Sequence, residues 1–399
     1  MTITNRLLQK ITGPPLGWIP ILVYLIAFTV NLLFVIISGP NMGGDSGRYY
    51  GYADTLLSGD SVEASMLLLY GGYIGVVSLA KIITGDVGNY LWLIIIFQAT
   101  LSASIPVMLY FSGRIIKPDS NPYIMAGLSL FLGVGCYDHL LWTRYILTDS
   151  IFVTLMVLVM YSIVRGIYTG AWWTAFVIGI LVFPFRPLSQ LVFVLVAIAW
   201  IWWFIAQNKG FNRRYFLIQI MITILIVFCL VVIYAWLTKN PPSGDGIIVK
   251  FVQMFKGVND NGVVVYHRQH TYHHPPEGMG DYVLLILDKF YHMFRFHYSE
   301  YSFTHKVLNW LYFPIYYIIA LYGIYQLITR SNRFSYKDYV LVGNIFIWVN
   351  VFSLIYAFQG ISYGWRYQLS NMPAIWILAI FSVSRCLGIS TKRKQIDNS

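Results

Sequence analysis

The sequence predicts an all-α polytopic membrane protein of about ten transmembrane helices, and three observations carry that prediction. Apolar residues make up 58% of the 399-residue chain and charged residues only 11%, against roughly 25% charged in a soluble domain. Long uncharged runs recur at 11–44, 87–113, 120–137, 166–185, 187–208, 215–238, 307–329, 339–365 and 367–384, each about as long as a helix needs to be to cross a bilayer. No stretch shows the alternation of a strand. The 18% aromatic content suits many interfacial ends. A net charge of +11 has no soluble basic face to carry it, so nucleic acid is excluded as a partner.

Taken in order, the spans are expected near 19–38, 89–112, 121–138, 147–165, 170–185, 187–207, 215–238, 308–329, 338–359 and 370–388. The first is long and lacks a small-residue cleavage site, so it reads as an anchor and not as a signal peptide. The chain then forms one transmembrane domain over 1–399, with a first outer loop at 39–88 and a long outer loop at 239–306. Fifteen of the 27 Lys+Arg fall with three acids on one face, net +12; the other face holds twelve basic and thirteen acidic residues, net −1. Basic loops stay cytoplasmic, so both termini are expected inside. Residues 65–83 are long enough to span, yet an eleventh crossing would invert every basic loop downstream. They are therefore expected to lie in the outer interface or to re-enter from it, with Gly71, Gly72 and Gly75 weakening a regular helix. Residues 281–298 read as a second, amphipathic surface helix.

Cys136, Cys229 and Cys386 lack the paired spacing of a disulfide or zinc site. There is no phosphate loop, nucleophile elbow or HExxH. The polar residues concentrate on the outer face, where all eight histidines map along with Asp45, Asp138, Arg144, Asp149, Arg186 and Arg366. Ionisable groups near membrane depth are costly, and several converging on one face imply a shared polar cavity. In GPNMGGDSGRYYGYADTLLSG, Asp45 precedes a short helix carrying Arg48 and Tyr49; it is either the cap of that helix or a reactive carboxylate. In YDHLLWTRYILTDSIFVTLM, Asp149 opens a span where a helix dipole favours an anion, and pairing with Arg144 is the plain alternative. Arg186 in VFPFRPLSQLVF either snorkels or binds a ligand. Arg366, between Trp365 and Tyr367 in YGWRYQLSNMPAIW, is an interfacial anchor or a ligand-binding group. The YHRQHTYHHPPEGMGDY stretch, with His270, reads as a polar lid in preference to a divalent-cation site.

In this order the motifs resemble the GT-C superfamily of membrane glycosyltransferases, which includes protein O-mannosyltransferases and the transferases that place aminoarabinose on lipid A. The parallels are an acid in the first outer loop before a Tyr-bearing helix (GGDSGRYYGYADTLLSG), a Thr-Asp opening a span (LTDSIFVTLM), an Arg-Pro opening a span (FRPLSQLVF) and an Arg-Tyr before a late span (WRYQLSNMPAIW). The first-loop acid is single here, where some members carry an acidic pair. The resemblance implies a polyprenyl-phosphate-linked sugar donor, a glycan, lipid or protein acceptor, surrounding membrane lipids, and no required cofactor. It further implies catalysis on the periplasmic side of a bacterial inner membrane. Asp45 would be the base of an inverting displacement. Asp149 would orient a cation, a sugar hydroxyl or Arg144. Arg186 and Arg366 would hold the lipid phosphate, and Tyr49 and Trp365 would stack on the sugar. Arg48, Asp138, Arg144, His270 and Tyr367 complete the expected substrate-binding set.

Two rivals share the topology. A polysaccharide polymerase or O-antigen ligase would depend on loop arginines such as Arg268 and Arg295 and not on Asp45. A transporter or flippase would place polar groups through the midplane, where 151–164 and 217–236 are almost wholly apolar.

Overall fold

The computed structural model describes residues 17–85, 89–209, 212–240, 247–266, 268–330, 333–359, 361–362 and 368–387. Its helices, in chain order, are α1 (Trp18–Ser38), α2 (Ser46–Leu57), α3 (Ala64–Thr84), α4 (Tyr90–Ser102), α5 (Ser104–Ile116), α6 (Pro122–Val134), α7 (Tyr137–Thr143) and α8 (Asp149–Thr169). There follow α9 (Trp173–Leu181), α10 (Gln190–Lys209), α11 (Arg213–Lys239), α12 (Ile247–Asp260), α13 (Met279–His292), α14 (Phe303–Thr329), α15 (Tyr336–Gln359) and α16 (Met372–Leu387). The strand pairing among the described residues is a two-residue parallel contact of β1 (Val265–Tyr266) with β2 (Ile361–Ser362). The protein is an all-α polytopic membrane protein.

Local chemistry starts several helices where the sequence turns apolar. Asn121 caps α6 through bonds from the Tyr123 and Ile124 amides (3.0 and 3.2 Å), with Pro122 in the first turn. Asn212 caps α11, and the Ser302 hydroxyl accepts from the His305 amide at the start of α14.

Among the described residues eight helices are long and apolar enough to cross a membrane by length and composition. Seven of these, counting the α4–α5 run as one, fall on expected spans. The span expected at 121–138 is a broken pair, α6 and α7, bent by 59°. Those expected at 170–185 and 370–388 are shorter apolar helices. Burial separates axis from periphery: the apolar window is 78% buried in α8 and 67% in α15, against 22% in α1 and α11. The exposed Met221, Leu225, Phe228 and Trp236 of α11 then face lipid, which is as apolar as they are. With no hydrophobic drive between helices in lipid, close backbone approach carries the packing. A Cβ on Gly323 would lie 2.8 Å from Cβ of Ser382, so α14 and α16 meet as closely as they do because that position is glycine.

The eighth crossing-length helix is α3, where the sequence led us to expect a weakened interfacial segment. Its glycines do not break it: α3 runs unbroken for 21 residues. Gly72 instead admits the Phe185 ring, which a Cβ would meet at 2.7 Å. Two polar contacts tie α3 to its neighbours in sequence. Lys81 bonds Asp54 of α2, and the Tyr73 hydroxyl donates to Gln98 of α4 at 3.1 Å.

Polar groups gather at the two ends of the bundle. At one end Asp338 is fully buried and accepts from Arg385 (Nε 2.9 Å, Nη2 2.5 Å), the Tyr168 hydroxyl (2.5 Å) and the Ser335 amide (2.7 Å). The other end, where the first loop is bridged to the turn before α8 and His305 at the end of the long loop reaches Asp138, holds the candidate site.

Candidate functional site

Two stretches a hundred residues apart are stitched together at the loop end. Asn41 and Tyr145 form a parallel bridge; the Asn41 amide donates to the Arg144 carbonyl at 2.9 Å and the Ile146 amide to the Asn41 carbonyl at 3.0 Å. Ser46 Oγ donates to the Ile146 carbonyl and accepts from the Gly43 amide, both at 2.8 Å. Gly43 lies so close to Leu147 that a Cβ would meet its Cδ1 at 2.8 Å. The segment carrying Asp45 is thereby laid over the turn that leads into α8.

Asp45 occupies the N-cap position of α2, yet its side chain makes no cap hydrogen bond. Capping, the plain reading of this carboxylate, is not what the geometry contains. Asp45 is half-buried and Arg48 is exposed. Tyr49 differs from expectation. Its side chain is buried against Tyr70 and Tyr73, with ring centroids 5.5 and 5.0 Å away, so the ring is used in packing and not offered to a sugar.

Asp149 is fully buried in the first turn of α8, and its Oδ1 lies 2.9 Å from Arg186 Nη2. The guanidinium of Arg186 sits 5.3 Å from the Phe152 ring. It is held between the 3-10 turns Phe183–Phe185 and Pro187–Ser189, where the chain is extended. Sequence proximity suggested Arg144 as the partner of Asp149, and the structure corrects this. Arg144 is the C-cap of α7, and its guanidinium lies 5.9 Å from the Tyr145 ring. Between 143 and 149 the chain turns instead of continuing a helix, so the two side chains diverge. Arg144 Nε and Thr148 Oγ1 are buried with no hydrogen-bond partner among the described residues. Unmade bonds of this kind cost about 1–3 kcal/mol each, a cost that a bound ligand would relieve.

Gln98 was not singled out by sequence reasoning. Its Nε2 donates to the Thr143 and Tyr145 carbonyls, each at 2.9 Å, while its Oε1 accepts from Tyr73. It therefore fixes the turn that carries Arg144. The signal was present, a single glutamine well inside the apolar run 87–113, but one amide in a span does not announce what it bonds.

Asp138 is fully buried and committed internally. It accepts from His305 Nε2 at 2.5 Å and Asn309 Nδ2 at 3.4 Å, and so ties α7 to the start of α14. The Tyr301 ring stacks on His305 at 3.9 Å. Arg268 lies over Tyr298 at 3.7 Å and meets Glu300 at 3.5 Å; His270 Nδ1 meets the same carboxylate at 3.0 Å. His270 thus belongs to the long-loop network. Burial alone would raise the Glu300 pKa, but hydrogen bonding to backbone and the nearby Arg268 and His270 hold it below the ordinary value. Asp288 behaves alike: bonds from His292 and His273 outweigh its burial and lower it. Among the described residues no three His, Cys, Asp or Glu side chains gather as a metal site. Trp365, Arg366 and Tyr367 lie outside the described residues.

The long loop is also clasped onto the spans. Lys289 Nζ, fully buried, donates to Asn259 Oδ1 at 2.5 Å, and Asn259 Nδ2 donates to the Tyr234 hydroxyl of α11 at 3.3 Å. Tyr234 in turn donates to the Phe358 carbonyl of α15 at 2.9 Å. Gln368 donates to the Arg295 carbonyl. Beside this clasp an apolar groove of about 870 Å³ runs between α11, α14, α15 and α16, walled by residues such as Phe294, Trp310, Tyr317 and Phe346. Arg295 and His297 line it where the long loop covers its end. Compared with family models, curated proteins and solved structures, the chain matches none of them.

Proposed function

We propose that this protein is a membrane glycosyltransferase. It transfers a sugar from a polyprenyl-phosphate donor to an acceptor hydroxyl of a glycan, lipid or protein at the loop face. In the setting we assign, a bacterial inner membrane with both termini cytoplasmic, that face is periplasmic. The observation that carries the reading is the stitching of the Asp45 segment onto the turn before the buried Asp149–Arg186 pair. A non-capping carboxylate, an arginine pair and unsatisfied buried donors are thereby drawn into one region. The groove of about 870 Å³, apolar along its length with Arg295 and His297 at the loop end, suits a long isoprenoid with a phosphate at its head.

In the reaction, Asp45 takes the proton of the acceptor hydroxyl as that oxygen bonds the anomeric carbon. The bond from the anomeric carbon to the phosphate oxygen breaks, and the polyprenyl phosphate leaves with the electron pair. Charge growing on the phosphate is met by arginine, whose planar fork bonds phosphate oxygens two at a time. Arg186 and Arg144 are the nearby described candidates. Asp149 keeps Arg186 oriented.

The test is transfer from a defined polyprenyl-phosphate sugar by the protein in proteoliposomes. Asp45→Asn preserves size and should cost roughly two to four orders of magnitude in turnover if the carboxylate is the base, with expression unchanged. Near-normal turnover in Asp45→Asn ends that assignment. The second reading, a polysaccharide polymerase or ligase, is favoured by the buried, ring-stacked Arg268 of the long loop. It predicts indifference at Asp45 and loss at Arg268.

A further inference from the structure

At the end of the bundle opposite the candidate site, three separate chain segments turn cationic side chains toward one cavity of about 480 Å³. Lys117 comes from the turn after α5, Arg330 and Arg333 from the link between α14 and α15, and Arg385 from the last turn of α16. Phe334 and Tyr322 supply apolar wall. The positions are built. Arg114 Nη1 donates to the Ser120 carbonyl at 2.6 Å and fixes the turn that presents Lys117. Arg385 is oriented by the bonds of its Nε and Nη2 to Asp338. Lys117, Arg330 and Arg333 have no carboxylate within ion-pair distance among the described residues.

The plain explanation is that these cations answer helix dipoles, because α5, α14 and α16 all end here. Each helix end supplies roughly half a negative charge. Three of them together with Asp338 fall short of four cations, and Arg333 lies ahead of the N-terminus of α15, where a dipole repels it. A positive cavity therefore remains uncompensated.

We infer that this cavity is a binding site for a phosphate-bearing anion, and that its occupant is the headgroup of an anionic lipid in the leaflet on that side. The lipid source is favoured by what adjoins the cavity. Tyr322, one of its walls, is half-exposed and stacks with Tyr325 at 6.4 Å, on a helix face shared with the exposed Ile318 and Leu321. An acyl chain lying along that face would bring its headgroup to Arg330 and Arg333. Basic pockets between membrane helices are the usual form of such sites.

The experiment reconstitutes the full chain in nanodiscs of phosphatidylcholine alone or with phosphatidylglycerol. Native mass spectrometry then measures retained lipid for wild type, the pair Arg330→Gln/Arg333→Gln, and the control pair Arg213→Gln/Arg214→Gln, which lies in another basic turn. A melting curve in phosphatidylcholine establishes that each variant is folded. Wild type should retain phosphatidylglycerol preferentially. The pocket pair should lose about thirtyfold in that preference, the combined worth of two basic residues at a membrane surface, while the control pair keeps it. No preference in wild type overturns the inference, as does equal loss in the control pair, which would signify a general surface potential. A parallel arm titrates inorganic pyrophosphate into phosphatidylcholine nanodiscs; stabilisation that saturates there and vanishes in the pocket pair overturns the lipid assignment in favour of a soluble anion. The assay reads lipid and not sugar transfer, so its outcome is independent of the proposed activity.

Discussion

At the scale of single residues, the Asp149–Arg186 pair governs what the site can tolerate. Removing one partner of a buried pair strands the other charge, at about 3–5 kcal/mol. Arg186→Ala should therefore lower the melting midpoint sharply, and adding Asp149→Asn should restore most of it; equal melting of the single and double variants would show the two to be uncoupled. Lys289 offers a pH test. Burial pushes its pKa from the ordinary 10.5 down to about 7. Between those values the unfolded chain holds a proton that the folded chain lacks, so stability rises with pH across that window. Lys289→Met should flatten the rise and, by leaving the buried Asn259 Oδ1 without its donor, cost about 1–3 kcal/mol at pH 10. Thermal melting between pH 7 and 10 measures it, and an unchanged slope would exclude Lys289 as its origin. Residue types at the site were legible in the sequence, whereas partners were not. Asp149 lies five positions from Arg144 and 37 from Arg186, and only the turn at 143–148 decides between them. For the same reason the sequence offered Tyr49 to a sugar, while the fold buries it among tyrosines brought in by α3.

Elements were read more reliably, because apolar length and end-capping are local. Seven of the crossing-length helices fall on expected spans, and the caps at Asn121 and Asn212 could be anticipated from side-chain chemistry. What sequence could not supply was continuity. The bend between α6 and α7 and the unbroken run of α3 meet neighbours distant in sequence: the Tyr312 hydroxyl donates to the Leu132 carbonyl at 2.6 Å just before the bend, and Phe185 fills the space left by Gly72. Gly72→Ala should accordingly separate α3 from the Phe183–Phe185 turn and destabilise the protein by about 1–3 kcal/mol, the cost of overpacking. A melting midpoint equal to wild type would mean that Phe185 has room to move aside. The orientation of α3 is a separate matter. If it lies along the loop face, single cysteines at Asp60 and Gly85, both exposed, react with an impermeant thiol reagent from the same side of sealed vesicles. Labelling from opposite sides would make α3 a crossing helix.

Across the whole molecule, the charge pattern of the sequence reappears as two poles. Asp138, Arg144, Asp149, Arg186 and His270 gather with the loops, while Lys117, Arg330, Arg333, Lys337 and Arg385 gather around Asp338 and Tyr168 at the far end. The grouping was legible because basic loops are short and lie next to their spans. Which pole faces the cytoplasm is tested by labelling cysteines placed at 213 and 270 in oriented vesicles. Inside labelling at 213 and outside labelling at 270 are expected, and the reverse would invert the proposed periplasmic site.

The long loop is moored at several points: by β1 to β2, by Lys289 through Asn259 to α11, and by His305 to Asp138. Between the first mooring and the other two runs the stretch 273–277, exposed except at Pro276. A chain fastened on both sides of a cut does not come apart when cut. Cleavage after Glu277 should therefore yield two fragments on a denaturing gel but one particle by size exclusion, a severed polypeptide that still behaves as a single body.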